Sequence, residues 1–441
     1  MVRQRLTRAV AVLVVASAMW AAIPGSAASP AIVVTDPAVG GAPAANVTPQ
    51  GDLVSVYNFG QLQQAVADVA ISAAAEAGGW GVVGRGFGVG LLRVTRGGVA
   101  VHEAPGPSGY WTFPMSVTAL PLDSIGVAMG RDVSSIVASN MVVMGQTSAT
   151  LMGAQAGDIL DLVAADGSIA QFLVGRVAPD AEIGGTEIVM STSQADLLGA
   201  TLPTSVLIYG QFDRARLDAG LAARGLSTDP NIRVRRSWDP FDPDTTISLA
   251  KTKTLLGELA YHVTAAGDVL VDDAWRTAFI PNREPYPTGI VAACNVTIRS
   301  DLAAALQEVV DSGLAGSIDV ANVNTFGGCF GPRFTRIAGT QLGTLSRHTW
   351  GQPIDMNTAA NCQGCVPKMD CRIVRIFRAH DFAWGGDFLL SDGMHFEWVG
   401  EPRNSYQYPS RYCPNVPSGG IQSASREAWG ISRDSRAVMF A

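Results

Sequence analysis

The chain has 441 residues, of which 47% are hydrophobic and 16% are charged, and its formal net charge is −7. This composition excludes a disordered chain, and the acidic balance without a basic patch argues against a nucleic-acid-binding protein. The length exceeds that of a usual single domain, so we expect two domains.

The first 28 residues have the pattern of a secretory signal. Arg3, Arg5 and Arg8 precede the apolar run AVAVLVVASAMWAAI, and small residues follow at 25–28. The run is short for a membrane span, so we expect cleavage near Ala28 and a mature protein outside the cytoplasmic membrane. An uncleaved anchor is the alternative, and only in that case do we expect contact with a membrane.

Residues 51–230 are predicted to form an α+β accessory domain after a flexible leader over 29–50, which is rich in Ala, Pro, Gly and Val. Apolar spacing predicts helices over about 61–77 and 213–224, and two apolar runs around Asp166-Gly167 predict a hairpin. The stretch GWGVVG at 79–84 has the spacing of a dinucleotide-binding loop, but it follows a helix instead of a strand, which argues against that mechanism. The order of segments around LMGAQAGDILDLV is similar to the extracytoplasmic domain of MacB-type transporter subunits, which favours an α+β accessory domain. Two roles are expected for this domain as alternatives: it positions the chain at the cell wall, or it contacts a protein partner.

The second domain is predicted over 240–415, with a tail over 416–441. The Pro- and Asp-rich stretch SWDPFDPDTT at 237–246 indicates a linker, since it lacks the glycine and glutamate of a calcium loop. Helices are expected over about 301–312, with Ser300 as the cap, and over about 372–380. The segment 394–399 alternates like a strand.

All six cysteines lie in the C-terminal third of the chain. In an exported protein they are expected to form disulfides, although the sequence cannot choose the pairing. A zinc site at CQGC (362–365) is the alternative, but the two remaining cysteines beyond it have irregular spacing.

The stretch SRHTWGQPID (346–355) places a histidine and a carboxylate seven residues apart. Two ligands of one zinc ion lie roughly 3 Å apart, whereas seven residues of helix rise about 10 Å and seven of strand span about 23 Å. His348 and Asp355 can therefore share an ion only if the chain folds back between them. Gly351 and Pro353 are compatible with such a turn.

A second histidine stands in WGGDFLLSDGMHFEW (384–398). Strand alternation over 394–399 puts the large apolar side chains on one face and His395 with Glu397 on the other. Asp392, three residues before His395, stands where a base beside a metal-bound water is expected.

The two stretches together resemble the D-alanyl-D-alanine carboxypeptidase (VanY-type) zinc peptidases, which share a fold with hedgehog signalling domains. Ser346, His348, Gly351 and Asp355 match the family motif S-x-H-x-x-G-x-A-x-D, in which Pro353 replaces the usual alanine. SDGMHFEW matches the second motif, in which an acid stands three residues before a histidine. The resemblance covers about 240–400 and implies an antiparallel sheet with flanking helices.

The resemblance also implies roles for single residues. His348, Asp355 and His395 would bind Zn²⁺, Asp392 would be the general base and later the acid, and Arg333 would hold the substrate or stabilise the oxyanion. Further expectations concern the surroundings of the site. Ser346 and Trp384 are expected to contribute to substrate binding, with packing in the core as the alternative for Trp384. Glu397 orients a ligand or is a solvated surface residue, Cys294 pairs with Cys329, and the insert NCQGCVPKMDC is a disulfide-stapled loop at the rim.

The function implied is that of an exported, cell-wall-associated zinc metallopeptidase acting on peptidoglycan peptides. The sequence does not decide between a D,D-carboxypeptidase and an L-Ala-D-Glu endopeptidase. A non-catalytic zinc-containing binding module of the same fold is the alternative, and Asp392 argues against it because a binding module needs no base.

Overall fold

The computed structural model describes residues 52–58, 60–106, 111–320, 326–335, 342–404 and 410–415. The predicted signal, leader and C-terminal tail lie outside these residues. Within the described part of the chain, none of the helices is long and apolar enough to cross a membrane.

The N-terminal half alternates strands and short helices, as an α+β domain does. Its strands are β1 (Leu53–Asn58), β2 (Trp80–Arg96), β3 (Val99–Glu103), β4 (Phe113–Leu120), β5 (Val142–Gly145), β6 (Ile159–Val163), β7 (Ile169–Ala178), β8 (Ile188–Ser191), β9 (Ser205–Tyr209) and β10 (Ile232–Arg236). Its helices are α1 (Gln64–Glu76), α2 (Leu122–Met129), α3 (Arg131–Ala138), α4 (Gln146–Met152), α5 (Thr192–Leu197) and α6 (Arg214–Ala223).

Strand β2 takes part in both an open sheet and a barrel. Its first residues pair with β9 in a sheet of order β10-β1-β9-β2, and its later residues pair with β4 and β6. The path β2-β4-β8-β5-β7-β6 returns to β2 and closes a six-stranded barrel. GWGVVG lies at the start of β2, with no phosphate-binding turn into a helix.

The predicted N-terminal elements are present. The helices predicted over 61–77 and 213–224 correspond to α1 and α6, and Asp213 caps α6 by accepting from the amide of Arg216 at 2.9 Å. The hairpin around Asp166-Gly167 is β6–β7. Apolar residues of the barrel strands, including Met115, Met144 and Leu162, form the buried interior.

The C-terminal half packs helices around a four-stranded antiparallel sheet. Its helices are α7 (Leu249–Leu256), α8 (Asp273–Phe279), α9 (Arg299–Asp311) and α10 (Cys371–Ala379). Its strands are β11 (Tyr261–Val263), β12 (Val269–Val271), β13 (Glu284–Pro285), β14 (Val291–Ala292), β15 (Phe326–Gly328), β16 (Pro353–Met356), β17 (Phe382–Trp384) and β18 (His395–Trp398). The sheet order is β15-β16-β18-β17, which puts β16 and β18 at its centre.

The cap predicted for α9 is wrong. A short 3₁₀ turn over Val296–Ile298 runs directly into the helix, so Ser300 lies inside α9. Asn295 takes the capping role at the start of this turn, accepting from the amide of Thr297 at 3.0 Å.

The stretch 237–246, predicted as a linker, also makes buried contacts with the C-terminal half. Asp244 is buried and forms an ion pair with the fully buried Arg378 of α10, and it also accepts from the amide of Trp384 at 2.9 Å. Composition correctly indicates turns here, but it carries no information about this distant partner.

All six cysteines form disulfides: Cys294–Cys329, Cys362–Cys365 and Cys371–Cys413. The pairing predicted for Cys294 is confirmed, and the CQGC zinc alternative is excluded because both of its thiols are consumed.

Candidate metal centre

The first motif forms a tight turn that carries His348. Residues Arg347–Trp350 make a 3₁₀ turn, and the hydroxyl of Ser346 accepts from the amide of His348 at 3.4 Å. Gly351 ends the turn with φ of 62°, in the left-handed region that favours glycine. Strand β16 then begins at Pro353 and runs back to Asp355, so the chain folds back between the two side chains.

The pairing of β16 with β18 brings the two motifs together. Asp355 lies directly opposite His395 in this antiparallel register. Asp355 Oδ1 is 3.0 Å from His395 Nδ1, and Asp355 Oδ2 is 3.2 Å from His348 Nε2. One donor atom from each of these three buried residues lies within 4.8 Å of the others.

The second ring nitrogen of each histidine has its own partner. His348 Nδ1 donates to the carbonyl oxygen of Cys329 at 2.8 Å, and His395 Nε2 is 3.4 Å from Glu397 Oε2. This leaves His348 Nε2 and His395 Nδ1 directed at Asp355. Histidines that bind metals are held in this way by a carbonyl or carboxylate, which fixes the tautomer and the ring orientation. Two imidazoles and one carboxylate also match the donor set of catalytic zinc sites, so the residues fit the metal that the sequence implies.

The groups of the cluster favour positive charge at its centre. Burial raises the pKa of Asp355, but the charges and hydrogen bonds of His348 and His395 outweigh this and hold it well below its usual range. Burial lowers the pKa of His395, yet Asp355 and Glu397 together raise it to about 10. A divalent cation would take the place of this proton, since a ligating imidazole must be neutral.

Glu397 is 3% exposed, which rules out the solvated alternative. Its Oε1 accepts from Gln352 Nε2 at 3.3 Å and is 3.8 Å from Arg347 Nε, while Gln352 also donates to the carbonyl of Trp398 at 2.7 Å. Gln352 and Arg347 were not predicted as site residues. Nothing local in the sequence signals their role, because their partners lie on β18, more than forty residues away.

Asp392 is half-buried in the turn before β18, and its backbone carbonyl accepts from the amide of His395 at 3.1 Å. Gln363 forms a β-bridge with it and donates from Nε2 to Asp392 Oδ2 at 3.4 Å. The amide of Gly364 donates to Ser391 at 2.6 Å. The Cys362–Cys365 loop, predicted at the rim, thus supports the predicted base.

Arg333 and Ser346, which were also predicted to bind substrate, contact each other through the backbone. The backbone carbonyl of Arg333 accepts from the amide of Ser346 at 2.9 Å, while its exposed guanidinium donates to Gly331 at 3.0 Å. Arg333 is thus joined to the first motif by its backbone. Ser346 acts as the cap of the turn.

Trp384 is fully buried, and its indole nitrogen donates to the carbonyl of Gly393 at 3.0 Å. This position corrects the expectation that it lines the substrate groove, because no ring surface remains exposed. Its contact instead supports the turn that carries Asp392.

A cleft of about 480 Å³ lies next to β15, the strand that pairs with β16, and none of the three donor residues lines it. One wall is formed by Gly327, Gly328 and Cys329, and the other by the segment around β14. Gly328 pairs with Asp355 across the sheet, and a Cβ atom on Gly327 would lie 2.8 Å from Asp355 Cβ. The absence of a side chain at Gly327 therefore lets β15 lie directly against Asp355.

A family model described as D-alanyl-D-alanine carboxypeptidase matches residues 340–398. This segment contains all three donor residues and Asp392, and it supports a peptidase at the level of the family. Comparison with curated proteins gave no match.

Among solved structures, the chain is similar to the extracellular domain of the noncanonic ABC-type transporter YknZ from Gram-positive bacteria. The identity is 11%, the match covers 42% of this chain and 99% of that chain, and the TM-score is 0.25.

Proposed function

We propose that this protein is an exported zinc metallopeptidase that hydrolyses peptide bonds in peptidoglycan stem peptides. The observation that carries the proposal is the cluster of His348, Asp355 and His395, whose donor atoms lie within 4.8 Å of one another. The family match over 340–398 covers the same residues. Export is proposed from the N-terminal sequence pattern, and a hedgehog-like fold of the C-terminal domain is proposed from the two motifs.

His348, Asp355 and His395 would hold the zinc. When bound, zinc supplies Lewis acidity that makes water available as a nucleophile near neutral pH. The protein residues supply the rest of the chemistry. Glu397 and the carbonyl of Cys329 hold the two imidazoles in the ligating orientation, and Asp355 keeps the site negative enough to attract a cation.

Asp392 is the proposed general base. It would accept the proton of the attacking water and return it to the leaving amine, so one carboxylate serves both proton transfers. Gln363 holds this carboxylate through Nε2. Arg333 is proposed to hold a substrate carboxylate or stabilise the oxyanion, since its guanidinium is exposed and its backbone is anchored beside the first motif.

Hydrolysis of defined muropeptides tests this function. The mature protein should cleave a pentapeptide stem, and mass spectrometry should show either loss of the terminal D-alanine or a cut between L-Ala and D-Glu. A chelator should abolish the activity and added zinc should restore it. Zinc-loaded protein that cleaves none of these peptides would contradict the proposal and favour a binding module of the same fold.

A further inference from the structure

The N-terminal barrel contacts the segment that leads into the first motif. Gly88 of β2 lies so close to this segment that a Cβ atom there would be 2.5 Å from the carbonyl oxygen of Gly343 and 3.0 Å from Thr344 Cα. Leu342 packs against the apolar interior of the barrel. The chain therefore reaches the motif by running across the barrel surface.

Backbone hydrogen bonds link this segment to the turn that carries His348. The amide of Thr335 donates to the carbonyl oxygen of Thr344 at 2.9 Å, and the amide of Ser346 donates to the carbonyl oxygen of Arg333 at 2.9 Å. Ser346 in turn caps the turn of His348. A displacement of residues 343–344 would thus move the turn that carries the first ligand.

Helix α7 makes a second contact with the barrel. Lys253 on this helix is fully buried, with Nζ 2.6 Å from Glu187 Oε1 and 2.9 Å from the carbonyl oxygen of Pro114. Both partners belong to the N-terminal half. A buried ion pair fixes the position of a helix strongly, because separating its charges leaves one of them unpaired in the interior.

The residue next to Lys253 connects α7 to the second histidine. The hydroxyl of Thr252 donates to Gln352 Oε1 at 3.3 Å, and Gln352 donates to Glu397, which contacts His395 Nε2. At the end of the helix, Asn295 donates to the carbonyls of both Leu256 and Trp350 at 3.1 Å. Two neighbouring residues of α7 therefore make buried polar contacts, Lys253 with the barrel and Thr252 with the residues that hold His395.

We propose that the N-terminal barrel is a structural part of the metal centre, and that it positions His348 through residues 342–345 and His395 through helix α7. Gly88 and Thr252 are positioning residues in this account. The inference rests on the proposed zinc site and goes beyond it, because it makes the affinity for the metal depend on residues of the N-terminal half. Loss of outer contacts of metal ligands lowers affinity by about 10- to 100-fold.

Glycine substitutions along β2 provide a matched test in the full-length protein. Gly88→Ala places a methyl group against the backbone of residues 343–344, which cannot move without moving the first motif. Gly86→Ala makes the same change two residues earlier, where the new Cβ would meet only Thr204 Oγ1 at 3.6 Å. We expect Gly88→Ala to raise the zinc Kd about tenfold, measured by competition with a chromophoric chelator, and Gly86→Ala to leave it unchanged.

A third variant separates positioning from a general loss of stability. Gly175→Ala places its Cβ 2.5 Å from Ile136 Cγ2, inside the N-terminal half, and it should destabilise the protein without changing the zinc Kd. The absorption spectrum of the Co²⁺-substituted protein should change for Gly88→Ala alone. Equal zinc Kd values for wild type and Gly88→Ala would overturn the inference while leaving the proposed function intact. Absence of zinc binding by the wild type would contradict both.

Helix α7 provides an independent variant if Gly88→Ala does not fold. Thr252→Val keeps the shape of the side chain and removes the hydrogen bond to Gln352, so zinc should bind several-fold more weakly. Thr254→Val is the control, because the exposed Thr254 donates only to Ala250 within the same helix. A Thr252→Val protein with the zinc affinity of Thr254→Val would contradict the role of α7.

Discussion

Replacing Asp392 by asparagine is expected to lower kcat for peptide hydrolysis by about 10²- to 10⁴-fold, the usual contribution of general acid–base catalysis. Asparagine fills the same space in the turn before β18 but cannot accept a proton. KM and the zinc content should stay close to those of the wild type, because Asp392 is not among the three clustered donors. Steady-state kinetics with metal analysis of the same samples measures all three quantities.

The matched control is Asp311→Asn, which removes a carboxylate near the end of α9 that accepts only from Gln307 in the same helix. This variant should retain wild-type kcat. An Asp392→Asn protein with near wild-type kcat would show that another group takes the proton, and the assignment of the base would be wrong.

Replacing Lys253 by methionine is expected to destabilise the protein by about 3–5 kcal/mol, the cost of leaving a buried charge without its partner. Glu187 is fully buried, and its carboxylate also accepts from the hydroxyls of Ser116 and Ser148 and from the amide of Ser116. Arg347 interacts with it electrostatically. The second carboxylate near Lys253 is Glu258, whose pKa burial raises to about 7. The variant therefore removes the ammonium group that lies 2.6 Å from the buried Glu187 Oε1.

Urea unfolding at neutral pH measures this effect. Lys251→Met on the exposed face of the same helix is the control and should change the stability by less than about 0.5 kcal/mol. Adding Glu187→Gln to Lys253→Met should recover part of the loss, since it removes the unpaired charge. A Lys253→Met protein as stable as Lys251→Met would show that the ion pair does not hold the two halves together.

The local geometry of the site could be predicted from the sequence where short-range rules decide it. The fold-back between His348 and Asp355 follows from ligand distances, and Gly351 adopts the left-handed conformation that such a turn needs. Strand alternation placed His395 and Glu397 on one side of β18, where they are in contact. These features depend on neighbouring residues only.

Other features depend on contacts between distant parts of the chain and could not be predicted. The role of Gln352 follows from the register of β16 with β18, and the barrel closes through pairing of β2 with β6. The position of Trp384 could not be predicted from the sequence either. A tryptophan beside a functional motif can line a groove or fill the core, and only the packing of the turn over 385–393 places it in the core.

Metal analysis of the purified wild-type protein and of His348→Ala tests the central claim most directly. We predict about one zinc per wild-type chain, since the three donor residues form a single site. The His348→Ala protein should lack stoichiometric zinc, while Ala substitution of His380, which pairs with Glu308 at 2.7 Å on the surface, should retain it. A wild-type protein without zinc, or a His348→Ala protein that binds it fully, would contradict the assignment of the metal centre.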